Sequence, residues 1–191
     1  MRWLLATPRW VLSLAISLGI GLYTTRAVAA EQVILKYSIL RFTIPVNELE
    51  TFAETGQMSA NLESLFGQAK KEPQKLRRTL TQPVKVRQSL LDQALNSQPG
   101  EILLDQVAQV IHTPNRGADR QALRAALVLS ASDDDQITLL ETIKNYPTPA
   151  VEVEGDRLVE AYGKIATLGT QLGNATERLQ DLLNRIRLPK L

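Results

Sequence analysis

The run LRAALVL at residues 123–129 decides the fold together with ITLLETIKNYPTP at residues 137–149 and AVEVE at residues 150–154. The first two runs repeat apolar residues at the spacing of an amphipathic helix, and an acidic loop separates them. Pro147 and Pro149 stop the second helix. The last run alternates in the way that is typical of a strand. The region therefore predicts helix, turn, helix and strand in succession.

A second strand-forming region lies near the N-terminus. Residues 32–37 and 39–44 are rich in β-branched and aromatic side chains, with a turn near Ser38, and they predict a β-hairpin. A lone hairpin is marginal in water, so we expect residues 150–154 to add a third strand. We predict a mainly α fold: a multi-helix domain with a small antiparallel sheet and a long C-terminal helix.

The predicted C-terminal helix covers residues 156–187 and would be about 48 Å long at 1.5 Å per residue. Its apolar residues alternate in steps of three and four, the heptad pattern of a coiled coil, with Gly169 and Thr176 as weak positions. The helix either folds back on the domain, breaking between Gly169 and Gly173, or presents this seam to a partner. The predicted seam residues are Leu158, Tyr162, Ile165, Leu172, Leu179, Leu183 and Ile186.

Composition excludes several classes of function. Hydrophobic residues make up 44% of the 191 residues and charged residues 22%, which is ordinary for a folded domain. Aromatic residues are only 5%, so we expect a core of leucine, isoleucine, valine and alanine. The absence of cysteine excludes disulfides, thiolate metal sites and cysteine nucleophiles.

The N-terminus has the features of an export signal. Arg2 and Arg9 precede an uncharged run at residues 10–23, and Ala27 and Ala29 fit a cleavage site before residue 30. We therefore expect export to the periplasm or the thylakoid lumen; the alternative is a retained N-terminal membrane anchor. The signal would remove three of the 22 basic residues and none of the 20 acidic ones, leaving a net charge of −1. The sequence therefore predicts no nucleic-acid partner.

Residues 70–87 form a strongly basic segment in which Glu72 is the only acid. This pattern is typical of a solvated helix face, and it also fits attraction to an anionic membrane surface, where each cation contributes about 1 kcal/mol. The residues that would contact such a surface are Lys70, Lys71, Lys75, Arg77, Arg78, Lys85 and Arg87.

Candidate catalytic residues are few. His112 is the only histidine, and its position between an apolar helix and a Pro-Asn loop predicts a helix-end or surface role. Ser59 precedes a helical pattern and is interpreted as an N-cap rather than a nucleophile. Three consecutive aspartates, residues 133–135, lack the alternate spacing of a calcium loop and are predicted to cap the next helix. We expect no catalytic residue, no metal and no cofactor.

Several segments resemble an uncharacterised domain of cyanobacterial proteins, usually found N-terminal to an α/β-hydrolase domain of the esterase or lipase type. The resemblance implies an accessory domain, because a G-x-S-x-G nucleophile elbow is absent from the chain. At the turn where that family often has glycine, this chain has Gln136. The segments that carry the resemblance are residues 31–37, 46–56, 122–127, 137–148 and 151–153.

The predicted organisation is a signal peptide at residues 1–29, a helical accessory domain at residues 30–154 and an amphipathic helix at residues 155–191. Our first hypothesis is an exported, non-enzymatic interaction domain that binds a separate α/β-hydrolase or self-associates through the C-terminal helix. A partial or degenerate esterase is the first alternative. The second is a peripheral membrane binder that uses residues 70–87.

Overall fold

The computed structural model describes residues 29–69 and 72–186, apart from the side chains of residues 176 and 179–186. The helices are α1 (Val46–Thr55), α2 (Ala60–Ala69), α3 (Pro73–Thr81), α4 (Gln88–Leu95), α5 (Gln98–Ala108), α6 (Asp119–Ser130), α7 (Leu139–Lys144) and α8 (Leu158–Ile186). The strands are β1 (Gln32–Tyr37), β2 (Leu40–Pro45), β3 (Val84–Lys85), β4 (Ile111–His112), β5 (Gln136–Ile137) and β6 (Ala150–Glu154). The predicted mainly α fold with a small sheet is confirmed.

The main sheet has four strands in the order β2–β1–β6–β4. β1 and β2 form the predicted antiparallel hairpin, and β4 is antiparallel to β6. β6 runs parallel to β1, with Val33 opposite Val151, so the expected wholly antiparallel sheet is wrong. The chain from β2 to β6 passes through seven helices, and such a long crossover can return a strand in the parallel direction.

One face of this sheet forms the floor of the core. Val33, Ile44, Val151 and Ile111 are buried there, and the helices cover them, because alternate residues of each strand point to the same face. The core is built mainly from leucine, isoleucine, valine and alanine, as predicted. Its largest fully buried side chains include Phe52, Leu62, Leu91, Leu104, Leu123, Leu127, Leu139 and Tyr146.

The region at residues 123–154 has the predicted order of elements, with the two-residue strand β5 inserted before α7. α7 begins with a capping box, in which Thr138 accepts the N–H of Glu141 at 3.1 Å and the Glu141 carboxylate accepts the N–H of Thr138 at 2.8 Å.

The aspartate run does not cap α7. The Asp135 carboxylate instead accepts the N–H of Gln88 at the start of α4, at 3.0 Å. The prediction that the run caps the next helix is therefore wrong. The pairing of β3 with β5 brings the acidic loop beside α4, a helix that precedes this loop in the sequence.

α8 is continuous from Leu158 to Ile186, so the alternative in which the helix breaks between Gly169 and Gly173 is wrong. A β-carbon at Gly169 would lie 2.4 Å from Cγ1 of Val84, which means that the glycine allows α8 to approach β3 closely. In the described part of the chain, no helix is long and apolar enough to cross a membrane.

Candidate functional site

A network of charged side chains occupies the sheet face that points away from the core. Glu152 on β6 is at its centre and is only 4% exposed. Lys36 on β1 donates to Glu152 at 2.6 Å and to Glu154 at 3.4 Å. Arg41 on β2 donates to the other carboxylate oxygen of Glu152. The network therefore joins three neighbouring strands through one buried anion.

The cations keep Glu152 ionised despite its burial. Burial opposes the charged form, but the hydrogen bond and charge of Lys36, with further contributions from Arg41 and His112, outweigh burial and lower the pKa of Glu152. The hydrogen bond to Glu152 is in turn the main cause that raises the pKa of Lys36. This arrangement is an ion-pair network that stabilises the sheet.

The replacement Glu152→Gln is expected to lower the free energy of unfolding by about 1–2 kcal/mol at pH 7. The cost stays modest because the side chains of Lys36 and Arg41 are 30% and 57% exposed and can turn to water. The folded pKa of Glu152 lies below the unfolded value of about 4.3. The stability that the ionised Glu152 contributes is therefore fully present when the pH is above this unfolded pKa. It is lost as the pH falls through the folded pKa.

Urea unfolding of both proteins across this range measures the effect. The difference in free energy of unfolding between wild type and Glu152→Gln should shrink as the pH is lowered below about 4. A difference that stays constant from pH 7 down to the acid limb would contradict the assigned role of the carboxylate.

His112 lies in strand β4 with no solvent exposure, so the predicted helix-end or surface role is wrong. Its Nδ1 is 2.9 Å from the carbonyl of Thr113, which can only accept, so this nitrogen carries a hydrogen. Nε2 lies 3.7 Å from a carboxylate oxygen of Glu154 and has no hydrogen-bond partner among the described residues. The ring is therefore closed to solvent in this structure.

Sequence reasoning missed the network, although the pattern contained a signal for it. Glu152 and Glu154 alternate with valines, which places both acids on one face of β6. Lys36 and Arg41 lie opposite each other across the hairpin, a pairing that its turn already fixes. The position of the acids beside the cations depends on the parallel pairing of β1 and β6, which the sequence did not reveal.

The basic segment is only partly available to a ligand. The guanidinium of half-buried Arg77 donates at 2.8 Å to the carbonyls of Ala53 and Glu54 at the end of α1, so these donors are already used within the domain. Lys70 and Lys71 lie outside the described residues. The side chains that are exposed and form no ion pair with a described residue are Lys75, Arg78, Lys85 and Arg87.

The first half of the predicted seam packs on the domain itself. Leu158 and Ile165 are buried, Leu172 is half-buried against the core, and Tyr162 donates its hydroxyl to the carbonyl of Gln82. These four residues are therefore not free for a partner helix. The second half, Leu179, Leu183 and Ile186, lies outside the described side chains.

Ser59, the remaining candidate nucleophile, lies immediately before α2. Ser59 Oγ accepts the N–H of Leu62 at 3.3 Å and donates to the Glu48 carboxylate, which confirms its N-cap role. Among the described residues, no group of histidine and carboxylate side chains could hold a metal ion.

Comparison with known proteins identifies the family. The family described as "Alpha/beta hydrolase of unknown function (DUF1400)" matches residues 29–154. No curated protein and no solved structure matches the chain. The matched region ends with β6 and includes the complete four-stranded sheet. The chain belongs to this family of α/β-hydrolase-related proteins of unknown function.

Proposed function

We propose that the chain is an exported, non-enzymatic interaction domain that works beside a separate α/β-hydrolase. One observation carries the proposal: α8 continues well beyond the surface on which it packs. We call residues 173–186 the outer half of α8. It adds about 21 Å of helix, and its described side chains are all exposed: Asn174, Ala175, Glu177 and Arg178.

A helix of this length gains most of its stability by packing an apolar face. The inner half of α8 packs on β3, α4 and α5 of its own domain. The sequence continues the three-and-four apolar spacing through Leu179, Leu183 and Ile186. A partner that covers this face of the helix would supply such a packing surface.

The absence of suitable catalytic groups supports a non-enzymatic role. An α/β-hydrolase uses a serine on a strand-to-helix elbow and a histidine that reaches it. Here no G-x-S-x-G sequence exists, and the only histidine is fully buried in the ion-pair network. The sheet at residues 29–154 has four strands in mixed directions, which differs from a doubly wound parallel sheet.

Export and the partner are proposals that rest on the sequence. The basic start, apolar run and alanine-rich site at residues 1–30 support secretion to the periplasm or thylakoid lumen. The resemblance to domains that precede a hydrolase in longer cyanobacterial proteins supports a hydrolase as the partner. A second copy of this chain is the other candidate for covering the outer half of α8.

The test compares the full chain with a variant that ends at Gly173, which keeps the half of α8 that packs on the domain. Both are tagged, purified from the native host and examined by mass spectrometry and light scattering. We expect the full chain to retain an α/β-hydrolase and the shortened chain to lose it while keeping the same thermal unfolding midpoint. A full chain that is monomeric and retains no hydrolase, or retention that survives the truncation, would overturn the proposal.

One observation favours a second function, binding to an anionic membrane surface. Lys75, Arg78, Lys85 and Arg87 are exposed and form no ion pair with a described residue, whereas Asp135, beside the start of α4, reduces the local positive charge.

The description of the family as hydrolases keeps ester hydrolysis as a third candidate.

The membrane alternative predicts a clear result in vesicle flotation. Changing Lys75, Arg78, Lys85 and Arg87 to glutamine should reduce binding to vesicles with anionic lipid by at least tenfold, because each cation contributes about 1 kcal/mol. The matched control is Arg77→Gln, whose side chain is directed at α1 and should affect stability more than binding. Flotation that is indifferent to anionic lipid would exclude this function.

A further inference from the structure

An open groove with a volume of about 620 Å³ runs between α5 and the first half of α8. We call it the α5–α8 groove. Along α8 its lining extends from Glu160 to Gln171. Leu103 and Leu168 also line it, and both are half-buried against the core. Ile102, which precedes Leu103 on α5, is 54% exposed. Exposed apolar groups beside an open groove indicate a surface that another chain covers.

The groove and the outer half of α8 have similar lengths. The groove runs beside residues 160–171 of α8, a distance of about 18 Å, and residues 173–186 extend the same helix by about 21 Å. Two antiparallel copies of α8, related by a two-fold axis between Leu172 and Gly173, would therefore each place their outer half along the groove of the other copy. Such a contact is made twice, because residue i meets residue j and j meets i.

The charges on α8 fit this antiparallel pairing. Glu160 and Lys164 line the groove, and their side chains are 59% and 34% exposed. Helical steps of three and four residues from Lys164 lead to positions 181 and 185, which therefore lie on the same side of α8. About the two-fold axis, Lys164 is opposite Asp181 of the second copy, and Glu160 is opposite Arg185 of the second copy. Both pairs bring opposite charges together.

The apolar positions of the outer half agree with the charges. They are centred about a third of a turn from positions 181 and 185, because a helix has 3.6 residues per turn. When the charged side meets α8 of the second copy, the apolar side faces α5 of that copy, on which Leu103 lies. These apolar positions are Leu179, Leu182, Leu183 and Ile186.

We propose that the chain forms a two-fold dimer in which the outer half of each α8 lies antiparallel in the α5–α8 groove of the other copy. This inference rests on the proposed role of the outer half as a binding surface, and it names what covers that surface. An unrelated partner does not require complementary charges along one helix, whereas antiparallel self-pairing does. A hydrolase partner would then bind the assembled dimer.

Charge reversal tests this register, with the self-association of the purified full chain measured by sedimentation equilibrium. We expect a wild-type dimer. Lys164→Glu and Asp181→Lys should each weaken dimerisation by about tenfold, because each reversal creates a like-charged pair twice in the dimer. The two reversals combined bring opposite charges together again and should restore the wild-type affinity. A monomeric wild type, or a dimer that neither reversal weakens, would overturn the proposal.

The matched control combines Lys164→Glu with Glu177→Lys, which lies about one helical turn before Asp181. This control has the same net charge as the restored variant, but it should dimerise as weakly as Lys164→Glu alone. All variants keep the apolar run at residues 10–23, so that run cannot cause a difference between them. Equal restoration by Glu177→Lys and Asp181→Lys would contradict the assigned pairing.

The dimer and the hydrolase partner fail in different experiments. A monomer that still retains a hydrolase from the native host would overturn the dimer and keep the proposed function. A dimer that responds to the charge reversals but retains no hydrolase would support the dimer and remove the hydrolase as its partner.

Discussion

Replacing Gly100 by alanine is expected to lower the free energy of unfolding by about 3 kcal/mol, the upper part of the usual range for overpacking. Gly100 lies in the first turn of α5, where the N-cap Ser97 accepts its N–H at 3.3 Å. A β-carbon there would be 2.0 Å from the carbonyl oxygen of Ala94 and 2.7 Å from Cα of Leu95. Because these are backbone atoms, α4 and α5 must move apart.

The matched control is Gly163→Ala on α8, where a β-carbon would meet no atom within 4 Å. This change should raise the free energy of unfolding by about 0.5–1 kcal/mol, because alanine favours helix over glycine. Urea unfolding of both variants gives the comparison. A Gly100→Ala protein as stable as wild type would show that α4 and α5 pack less closely than described.

The replacement Phe52→Ala is expected to cost about 4 kcal/mol, as large-to-small changes of buried aromatic residues do. Phe52 has no exposed surface, and its ring centroid lies 5.9 Å from that of Phe66. The pair joins α1 to α2. The loss therefore combines a cavity in the core with weaker packing between these two helices.

Two further substitutions serve as controls for the loss of buried volume. Phe52→Leu keeps most of the apolar volume and should cost less than half as much as Phe52→Ala. Met58→Ala removes a side chain that is 39% exposed and should change stability by no more than about 0.5 kcal/mol. Chemical denaturation measures all three. Equal costs for Phe52→Ala and Met58→Ala would contradict the position of Phe52 in the core.

The sequence predicts those parts of the fold whose patterns are local. The hairpin and the helices around residues 123–144 follow from apolar spacing, and the cap at Ser59 follows from residue type. The direction of β6 does not follow, because alternation of apolar residues is the same in parallel and antiparallel strands. Strands of two residues, such as β3, β4 and β5, are too short to show an alternation of apolar and polar residues.

Site residues were hardest to predict where their partners are distant in the chain. Arg77 has the appearance of a surface cation, yet its partners are carbonyls 23 and 24 residues away. His112 lies between an apolar run and a Pro-Asn loop in sequence, but its place in the sheet depends on pairing with Glu152 across 40 residues. The first half of the predicted seam has the correct spacing to pack on a partner helix, but it packs on the domain's own core instead.

We propose that this member of a hydrolase-related family acts by binding and not by catalysis. The most direct measurement is the rate at which the purified full chain hydrolyses p-nitrophenyl esters of two to twelve carbons. We predict no turnover above the uncatalysed rate at any length. A saturable rate that follows the protein through successive purification steps and increases in proportion to its concentration would contradict the claim.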